Sequence, residues 1–512
     1  MNKVLKAMFC VTFFSVCTRA LGFVLKVYLS RELGSVLLGS YQVSLSIFAV
    51  LMTIASSGIP VVLSRNVSYF NGKKDKKTIG SIVSSGLIVT TTLCLIISCI
   101  IILCPNLLNL IFTSSASSEI VLILLPALIA GAIYEVFNGA LWGQQQFFAI
   151  SFNEFLEQVI RLIVIIILFN TSFINISATN KTALSLSIAC IISTIHIAVL
   201  YFKKGGTLSN PKTQLKALLK SSSPITAAKT VSSIVSSMIS VLIPIRLMTY
   251  GYSSTEALSE YGIMMGMTFP LVMIPSTLIG SLATTIIPSI SEQSNNIDNG
   301  KLTDKTLIKS KINFAIKLAI VFSSILLSTF IALGKPLCDF IYNNSRAGIF
   351  LSVSAIAMIP LGISQITSAI LNAVGLEMKS LKTYAISASL LVLSIFILPR
   401  YIGTYSLIIG YMLMSISSSI MNLKMLHKRK IVDYEFSKTI FTMLGITLLS
   451  SAITISIYNL ISQLGLIALF TSILISLSST ILLLFTFNIA DIKVFMFGKL
   501  KQSQKAKVYS QA

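Results

Sequence analysis

The sequence predicts an all-α integral membrane protein with about fourteen transmembrane helices. Of its 512 residues, 54% are hydrophobic and only 11% are charged, and the mean hydropathy is +0.89. Soluble domains carry about 25% charged residues, so water is not the main solvent of this chain. A helix that crosses a bilayer needs about 20 apolar residues. Apolar runs of that length follow one another along the sequence and are separated by short polar gaps.

The apolar runs define the predicted spans in chain order. These spans cover residues 6–29, 38–68, 79–103, 119–142, 152–174, 182–202, 222–249, 259–290, 309–333, 347–374, 382–399, 403–426, 438–459 and 464–487. The first run contains Arg19 and has no small-residue cleavage site, so we expect a retained span and not a signal peptide.

Basic residues predict the orientation of the spans. Lysine and arginine cluster in every second gap, at 73–77, 203–220, 301–311 and 424–430, while the gaps between them carry almost none. Basic loops stay on the cytoplasmic side of a membrane, so we expect both termini in the cytoplasm. The net charge of +23 is then a topology signal, and we expect no nucleic acid partner.

The first twelve spans fall into two halves of similar design. Glycine, tyrosine and proline recur at like places, namely Gly39, Tyr41 and Pro60 in the first half and Tyr261, Gly262 and Pro288 in the second. Parallel repeats with a site between them are a known transporter design. We predict two six-helix lobes around a central cavity, at 1–205 and 206–430. Two additional helices and a basic cytoplasmic tail follow at 431–512.

Charged residues inside the spans are the best candidates for a functional site. A cation at the centre of a span costs roughly 2.5–3.5 kcal/mol, so Arg19, Arg161 and Lys229 are expected to face a cavity or a partner. Glu157 and Arg161 are spaced for an ion pair within one helix, and Gln158 shares their face. A structural role, in which this face only joins helices, is the alternative.

Cations outnumber carboxylates within the spans, which favours a polyanionic ligand such as a pyrophosphate. Arg31 and Arg65 end the first two spans, where they either anchor the helices or guard an entrance. The sequence has no nucleophile elbow or phosphate-binding loop, and its two histidines are isolated. Its seven cysteines form no CxxC pair. We therefore expect neither an enzyme, a metal site nor a cofactor.

Several short motifs resemble the stage V sporulation protein B family. They are SRELG at 30–34, GSYQ at 39–42, GIP at 58–60 and SRNVS at 64–68, together with Gln145-Gln146 and the pattern formed by Glu157, Gln158 and Arg161. That family belongs to the multidrug/oligosaccharidyl-lipid/polysaccharide transporter superfamily, alongside the lipid II flippases. The resemblance implies two six-helix lobes plus two helices in a bacterial cell membrane. It also implies export of a precursor of spore cortex peptidoglycan or of a related polysaccharide.

The leading hypothesis is a flippase that moves a lipid-linked, polyanionic sugar by alternating access. Arg19, Arg161 and Lys229 would hold the pyrophosphate, while membrane lipids surround the protein and sodium or a proton is the candidate coupling ion. One alternative is an ion-coupled exporter of drugs or other small molecules with the same fold. The other is a membrane scaffold that transports nothing and recruits enzymes of cortex synthesis.

Overall fold

The computed structural model describes residues 2–104, 106, 115–171, 176–298, 305–432 and 436–487, and these residues form helices and no strand. The predicted basic tail lies outside the described residues. The helices in chain order are α1 Asn2–Ser56, α2 Ile59–Gly72, α3 Lys76–Leu103, α4 Ser115–Ile123, α5 Leu125–Gly143, α6 Phe147–Asn170, α7 Ala178–Lys203, α8 Leu215–Thr249, α9 Ser254–Tyr261, α10 Phe269–Val272, α11 Ile274–Asp298, α12 Thr306–Tyr342, α13 Ser345–Ser354, α14 Met358–Ala373, α15 Glu377–Ile397, α16 Pro399–Ile402, α17 Tyr405–Lys428, α18 Phe436–Ile461 and α19 Leu466–Thr486.

Eleven helical stretches of the described residues are long and apolar enough to cross a membrane. The number is twelve if the bent pair Ser254–Val272 and Ile274–Ala283 forms one span. The all-α membrane fold class is thereby confirmed, but the predicted number of fourteen spans is not. The helix α6 is not among the eleven stretches. It carries three charged residues, Glu154, Glu157 and Arg161, although the rest of the helix is strongly apolar.

The long helix α1 contains one break, at Gly34. A straight helix of 55 residues would be about 80 Å long, far more than the roughly 30 Å of a hydrocarbon core. Gly34 has φ 65° and ψ −179°, a conformation that a residue with a Cβ adopts only under strain. The break falls between the first two predicted spans, in the SRELG motif.

The chain divides into two compact units, Met1–Pro270 with Ser394–Leu407, and Leu271–Leu393 with Ile408–Ala512. Within the first unit, small residues bring helix backbones together. A Cβ added to Gly139 of α5 would lie 2.8 Å from the carbonyl oxygen of Pro60, and one added to Gly143 would lie 2.6 Å from that of Ser64. Lipid is as apolar as leucine, so close packing at such GxxxG sites is what associates helices in a bilayer.

The segment around the predicted lobe boundary at 205 packs against α3 within the first unit. Ser81 and Ser85 of α3 donate hydrogen bonds to the carbonyl oxygens of Asn210 and Pro211, at 2.6 and 2.9 Å. The hydroxyl of Tyr201 donates to the carbonyl of Thr207 at 3.1 Å. The segment from 204 to 214 is thus held against α3 and α7 by hydrogen bonds. The predicted lobe boundaries stay a prediction.

In the second unit, buried hydroxyl groups join the last two helices to α12. Ser328 of α12 shares hydrogen bonds with Ser476 and Thr480 of α19, at 3.1 and 2.8 Å. Ser450 of α18 bonds to the same Thr480 at 2.8 Å. The sequence left the role of these two helices open, and the structure shows that they pack against α12.

Candidate functional site

The polar residues of α6 face two different neighbouring helices. Glu157 contacts α7, where Ser193 donates a hydrogen bond to its Oε2 at 3.2 Å and the thiol of Cys190 lies 3.9 Å from its Oε1. Gln158 faces α1, because a Cβ added to Gly22 would lie 3.8 Å from its Oε1. The shared helical face predicted from the sequence therefore lies at the junction of α1, α6 and α7.

A chain of hydrogen bonds ends on the carboxylate of Glu157. His196 pairs through Nδ1 with Oδ1 of Asn153, and the Nδ2 of Asn153 donates to Ser193 at 2.9 Å. Ser193 in turn donates to Glu157. Asn153 and Ser193 are fully buried. Every donor from Asn153 onward points toward Glu157, so this carboxylate is the final acceptor of the chain. We call these four residues the Glu157 chain.

Arg161 lies on the same helix as Glu157 and reaches a different partner. Its Nη2 donates a hydrogen bond to the hydroxyl of Tyr41 in α1 at 2.7 Å, while its Nε has no partner among the described residues. The ammonium of Lys26 in α1 lies close enough to Arg161 for electrostatic repulsion. The two cations, Lys26 and Arg161, form what we call the cation pair.

The ion pair expected between Glu157 and Arg161 is not among the contacts of the described residues. Their i, i+4 spacing permits it, but Glu157 turns toward the hydroxyl and thiol groups of α7, and Arg161 extends to Tyr41 of α1. Tertiary partners on two sides of α6 thus replace the local pair, and one donor atom of the guanidinium remains available to a ligand.

A cleft of about 410 Å³ lies beside this region, between α1, α2, α5 and α8. Three of its lining residues, Glu135, Asn138 and Trp142, share one face of α5 because they are three and four positions apart. Lys229 of α8 also lines it, and donates a hydrogen bond to the carbonyl of Ser57 at 3.0 Å. We call this the Trp142 cleft.

Charge is balanced within the Trp142 cleft. The ammonium of Lys229 attracts the carboxylate of Glu135. The carboxylates of Glu154 and Glu157 on α6 repel it. Oδ1 of Asn138 and the hydroxyl of Ser57 are buried and have no hydrogen-bond partner among the described residues. The cleft thus offers acceptor atoms without a net positive charge.

The structure brings some of the predicted site residues together and leaves others apart. Glu157, Gln158 and Arg161 meet at the junction described above, and Lys229 lines the Trp142 cleft. Three further cations are exposed and are not among the residues that line that cleft; they are Arg19, Arg31 and Arg65. Their role in binding stays a prediction.

Sequence reasoning missed several members of these groups. Lys26 lies near the end of the first predicted span and was not recognised as a cation beside Arg161. His196 looked isolated because Asn153, its partner, is 43 positions away in the sequence. Trp142 could have been found, since it is the single tryptophan of the chain and follows Glu135 and Asn138 at helical spacing.

Comparisons with known proteins agree with this architecture. Residues 4–294 match the family described as "Polysaccharide biosynthesis protein". Stage V sporulation protein B of Bacillus subtilis (strain 168) is 24% identical over 351 residues, which are 66% of this chain and 66% of that protein, just under two thirds of the relative's own length. The resemblance noted from the motifs is thereby confirmed.

Two solved structures share the fold. Lipid II flippase MurJ, in an inward closed conformation, superposes with a TM-score of 0.68 at 18% identity, over 93% of this chain and 99% of that one. An inward-facing multidrug resistance MATE family transporter of the MOP superfamily gives a TM-score of 0.65 at 16% identity, over 82% of this chain and 94% of its own.

These similarities and the apolar helices define a multi-pass membrane protein. None of the three similar proteins is described as an enzyme, in agreement with the sequence-based expectation. Since the family match spans more than half of the chain, the protein belongs to the polysaccharide biosynthesis protein family.

Proposed function

We propose that this protein is a flippase that moves a lipid-linked, polyanionic sugar precursor across a bacterial cell membrane by alternating access. The observation that carries the proposal is Arg161 within the apolar helices, where its Nη2 bonds to the hydroxyl of Tyr41 and its buried Nε has no hydrogen-bond partner among the described residues. A cation in a bilayer is expensive, and the ammonium of Lys26 lies near enough to repel Arg161 as well. Their retention fits a site that receives negative charge from a ligand.

A pyrophosphate is the ligand that suits this site best. An arginine donates two parallel hydrogen bonds to phosphate oxygens, and Arg161 has a donor atom, Nε, that no described residue occupies. Tyr41 holds the guanidinium from the other side. Arg19, Arg31 and Arg65 complete the proposed path of the anion, while Lys229 lines the neighbouring Trp142 cleft. Exposed cations of this kind could meet the head group before it reaches Arg161.

The family and the fold support the same proposal. The flippase with the same fold is described as acting on lipid II, and the sporulation relative makes a spore cortex precursor the first substrate to test. The Glu157 chain is our candidate site for a coupling proton, since it links a carboxylate within the apolar helices to the imidazole of His196 by hydrogen bonds. We also propose that both termini are cytoplasmic. In a variant without the seven native cysteines, a cysteine placed at 73 should then stay unlabelled in intact cells, and one placed at 176 should be labelled.

Translocation of fluorescent lipid II in proteoliposomes tests the proposal. We expect flipping by the wild type, a loss of at least about tenfold in Arg161→Gln and in Arg19→Ala, and partial recovery in Arg161→Lys, which keeps the charge but not the paired donors. Arg400→Gln is the matched control, because Arg400 is an exposed arginine outside the proposed site.

Two results would overturn the proposal. If folded wild-type protein moved no lipid-linked sugar but extruded cationic dyes along an ion gradient, the protein would be a small-molecule exporter. If every variant flipped lipid II as fast as the wild type, the cation pair would not be the anion site.

A further inference from the structure

We propose that the Trp142 cleft is a carbohydrate subsite, which binds a neutral sugar ring of the substrate while its phosphates lie at the cation pair. The inference rests on the proposed function for the identity of the substrate. It adds a second site, with a different chemistry, to the anion site around Arg161. The cleft is lined by residues of one compact unit only.

The aromatic wall of the cleft suits a sugar ring. Trp142 has the largest side chain of α5, and 44% of its surface is exposed. Its ring makes an edge-on contact with the ring of Phe147, with 5.1 Å between the ring centroids. Pyranose rings carry a face of C–H groups that packs on an indole. A volume of about 410 Å³ is within the range of small-ligand pockets, which combine such an apolar wall with a few polar groups.

The polar atoms of the cleft match hydroxyl groups. Oδ1 of Asn138 and the hydroxyl of Ser57 are buried without partners among the described residues, so each gains from a ligand that donates a hydrogen bond. Glu135 offers further acceptor oxygens, and Lys229 offers donors. Sugar hydroxyls both donate and accept, and can therefore satisfy this mixed set.

Electrostatics favours a neutral group over a phosphate in this cleft. Glu135 offsets Lys229, and the carboxylates of Glu154 and Glu157 lie near enough to interact with Glu135. The local charge is thus balanced or negative, in contrast to the cation pair of Lys26 and Arg161. In this proposal, the charged phosphates of the head group bind at the cation pair and the neutral sugar binds in the Trp142 cleft.

The single tryptophan allows a direct binding experiment, because all indole fluorescence of the chain comes from Trp142. The purified full-length protein in detergent micelles is titrated with diacetylchitobiose and with maltose, and separately with inorganic pyrophosphate. We expect a saturable blue shift of the emission with at least one of the two sugars and none with pyrophosphate. The same sugar should protect Trp142 from quenching by iodide.

Variants that keep the tryptophan locate the response. Asn138→Ala and Glu135→Gln should weaken the apparent affinity for the sugar at least tenfold. The control for an intact cleft is the emission maximum of each variant without sugar, which should equal that of the wild type. Asn170→Ala is the matched control, since Asn170 is exposed on α6 and bonds only to its own helix at Ile166. Arg161→Gln should keep the full sugar response.

The outcomes separate this inference from the proposed function. A sugar response in a protein that flips no lipid II would leave the subsite standing and overturn the flippase. Flipping without a saturable response to either sugar would overturn the subsite alone. A response to pyrophosphate, or one that Asn138→Ala and Glu135→Gln leave unchanged, would also overturn it. In that case Trp142 would be an interfacial membrane anchor.

Discussion

The Nη2 atom of Arg161 donates a hydrogen bond of 2.7 Å to the hydroxyl of Tyr41. The bond joins α6 to the second part of α1, across 120 positions of the sequence. Tyr41 is only 1% exposed, so its hydroxyl has no alternative partner in water. A hydrogen bond from a charged donor contributes about 1.5–3 kcal/mol, enough to fix the guanidinium in one orientation.

Replacement of Tyr41 tests whether this orientation matters for transport. We expect Tyr41→Phe to keep the ring packing and the fold but to lower the rate of lipid II flipping about tenfold, since the guanidinium loses its support. The rate is measured in proteoliposomes with equal amounts of protein. Tyr401→Phe, at a tyrosine that is 73% exposed, should leave the rate unchanged. Equal rates in both variants would mean that Tyr41 has only a packing role.

The Glu157 chain should be important for stability as well. Asn153→Ala leaves His196 without its partner and removes one of the two hydrogen bonds of Ser193, at a cost of about 1–3 kcal/mol for a polar group left unsatisfied. We expect a clear decrease in the thermal unfolding temperature in detergent. A second replacement, His196→Phe, should recover part of this loss because it removes one of the unsatisfied groups. Asn170→Ala serves as the control, and an equal effect of both asparagine variants would contradict the prediction.

Protein stability should also fall when a side chain is added to a glycine at a close contact between helix backbones. A Cβ on Gly39 of α1 would lie 2.0 Å from the carbonyl oxygen of Leu258, a backbone atom that cannot rotate away. We expect Gly39→Ala to separate α1 from α9, with a loss of about 1–3 kcal/mol in unfolding free energy or a failure to fold. A Cβ on Gly72 meets nothing within 4 Å, so Gly72→Ala should be harmless. Membrane abundance and thermal unfolding of the two variants provide the comparison.

The hydroxyl contacts of the last helix can be tested with two serines on α19. Ser476 is fully buried and bonds to Ser328 and Thr329 of α12, whereas Ser478 is exposed and bonds to its own helix. We expect Ser476→Ala to lower the unfolding free energy by about 1 kcal/mol, as for other hydrogen bonds between membrane helices. Ser478→Ala should change it little. The opposite order would show that these hydroxyls do not attach the last two helices.

The fold class followed from the sequence because the bilayer imposes simple rules. Lengths of apolar runs, alternating basic gaps and motifs such as GSYQ were enough to predict an all-α membrane protein and its family resemblance. The number of spans could not be predicted as well: the sequence suggested fourteen, whereas eleven or twelve helical stretches of the described residues could cross a membrane. The helix α6 carries more charge than a simple span does. The helix α1 is longer than a simple span, because it continues through the break at Gly34.

The candidate site was only partly visible in the sequence. Glu157, Gln158 and Arg161 could be placed on one helical face from their spacing alone, since the period of a helix is fixed. Their partners could not be named. The sequence predicted a local ion pair, but in the structure Glu157 accepts a hydrogen bond from Ser193 of α7 and Arg161 donates one to Tyr41 of α1.

By itself, the sequence determined the all-α membrane fold class, which apolar runs carry charge and which family the chain resembles. Only the tertiary structure decided what each charged group contacts, that His196 and Asn153 are partners, and that Trp142 lines a cleft with Lys229. The physical reason is the range of the interactions. Hydropathy and helical period act between neighbours in sequence, whereas hydrogen bonds and packing join helices that are tens to hundreds of positions apart.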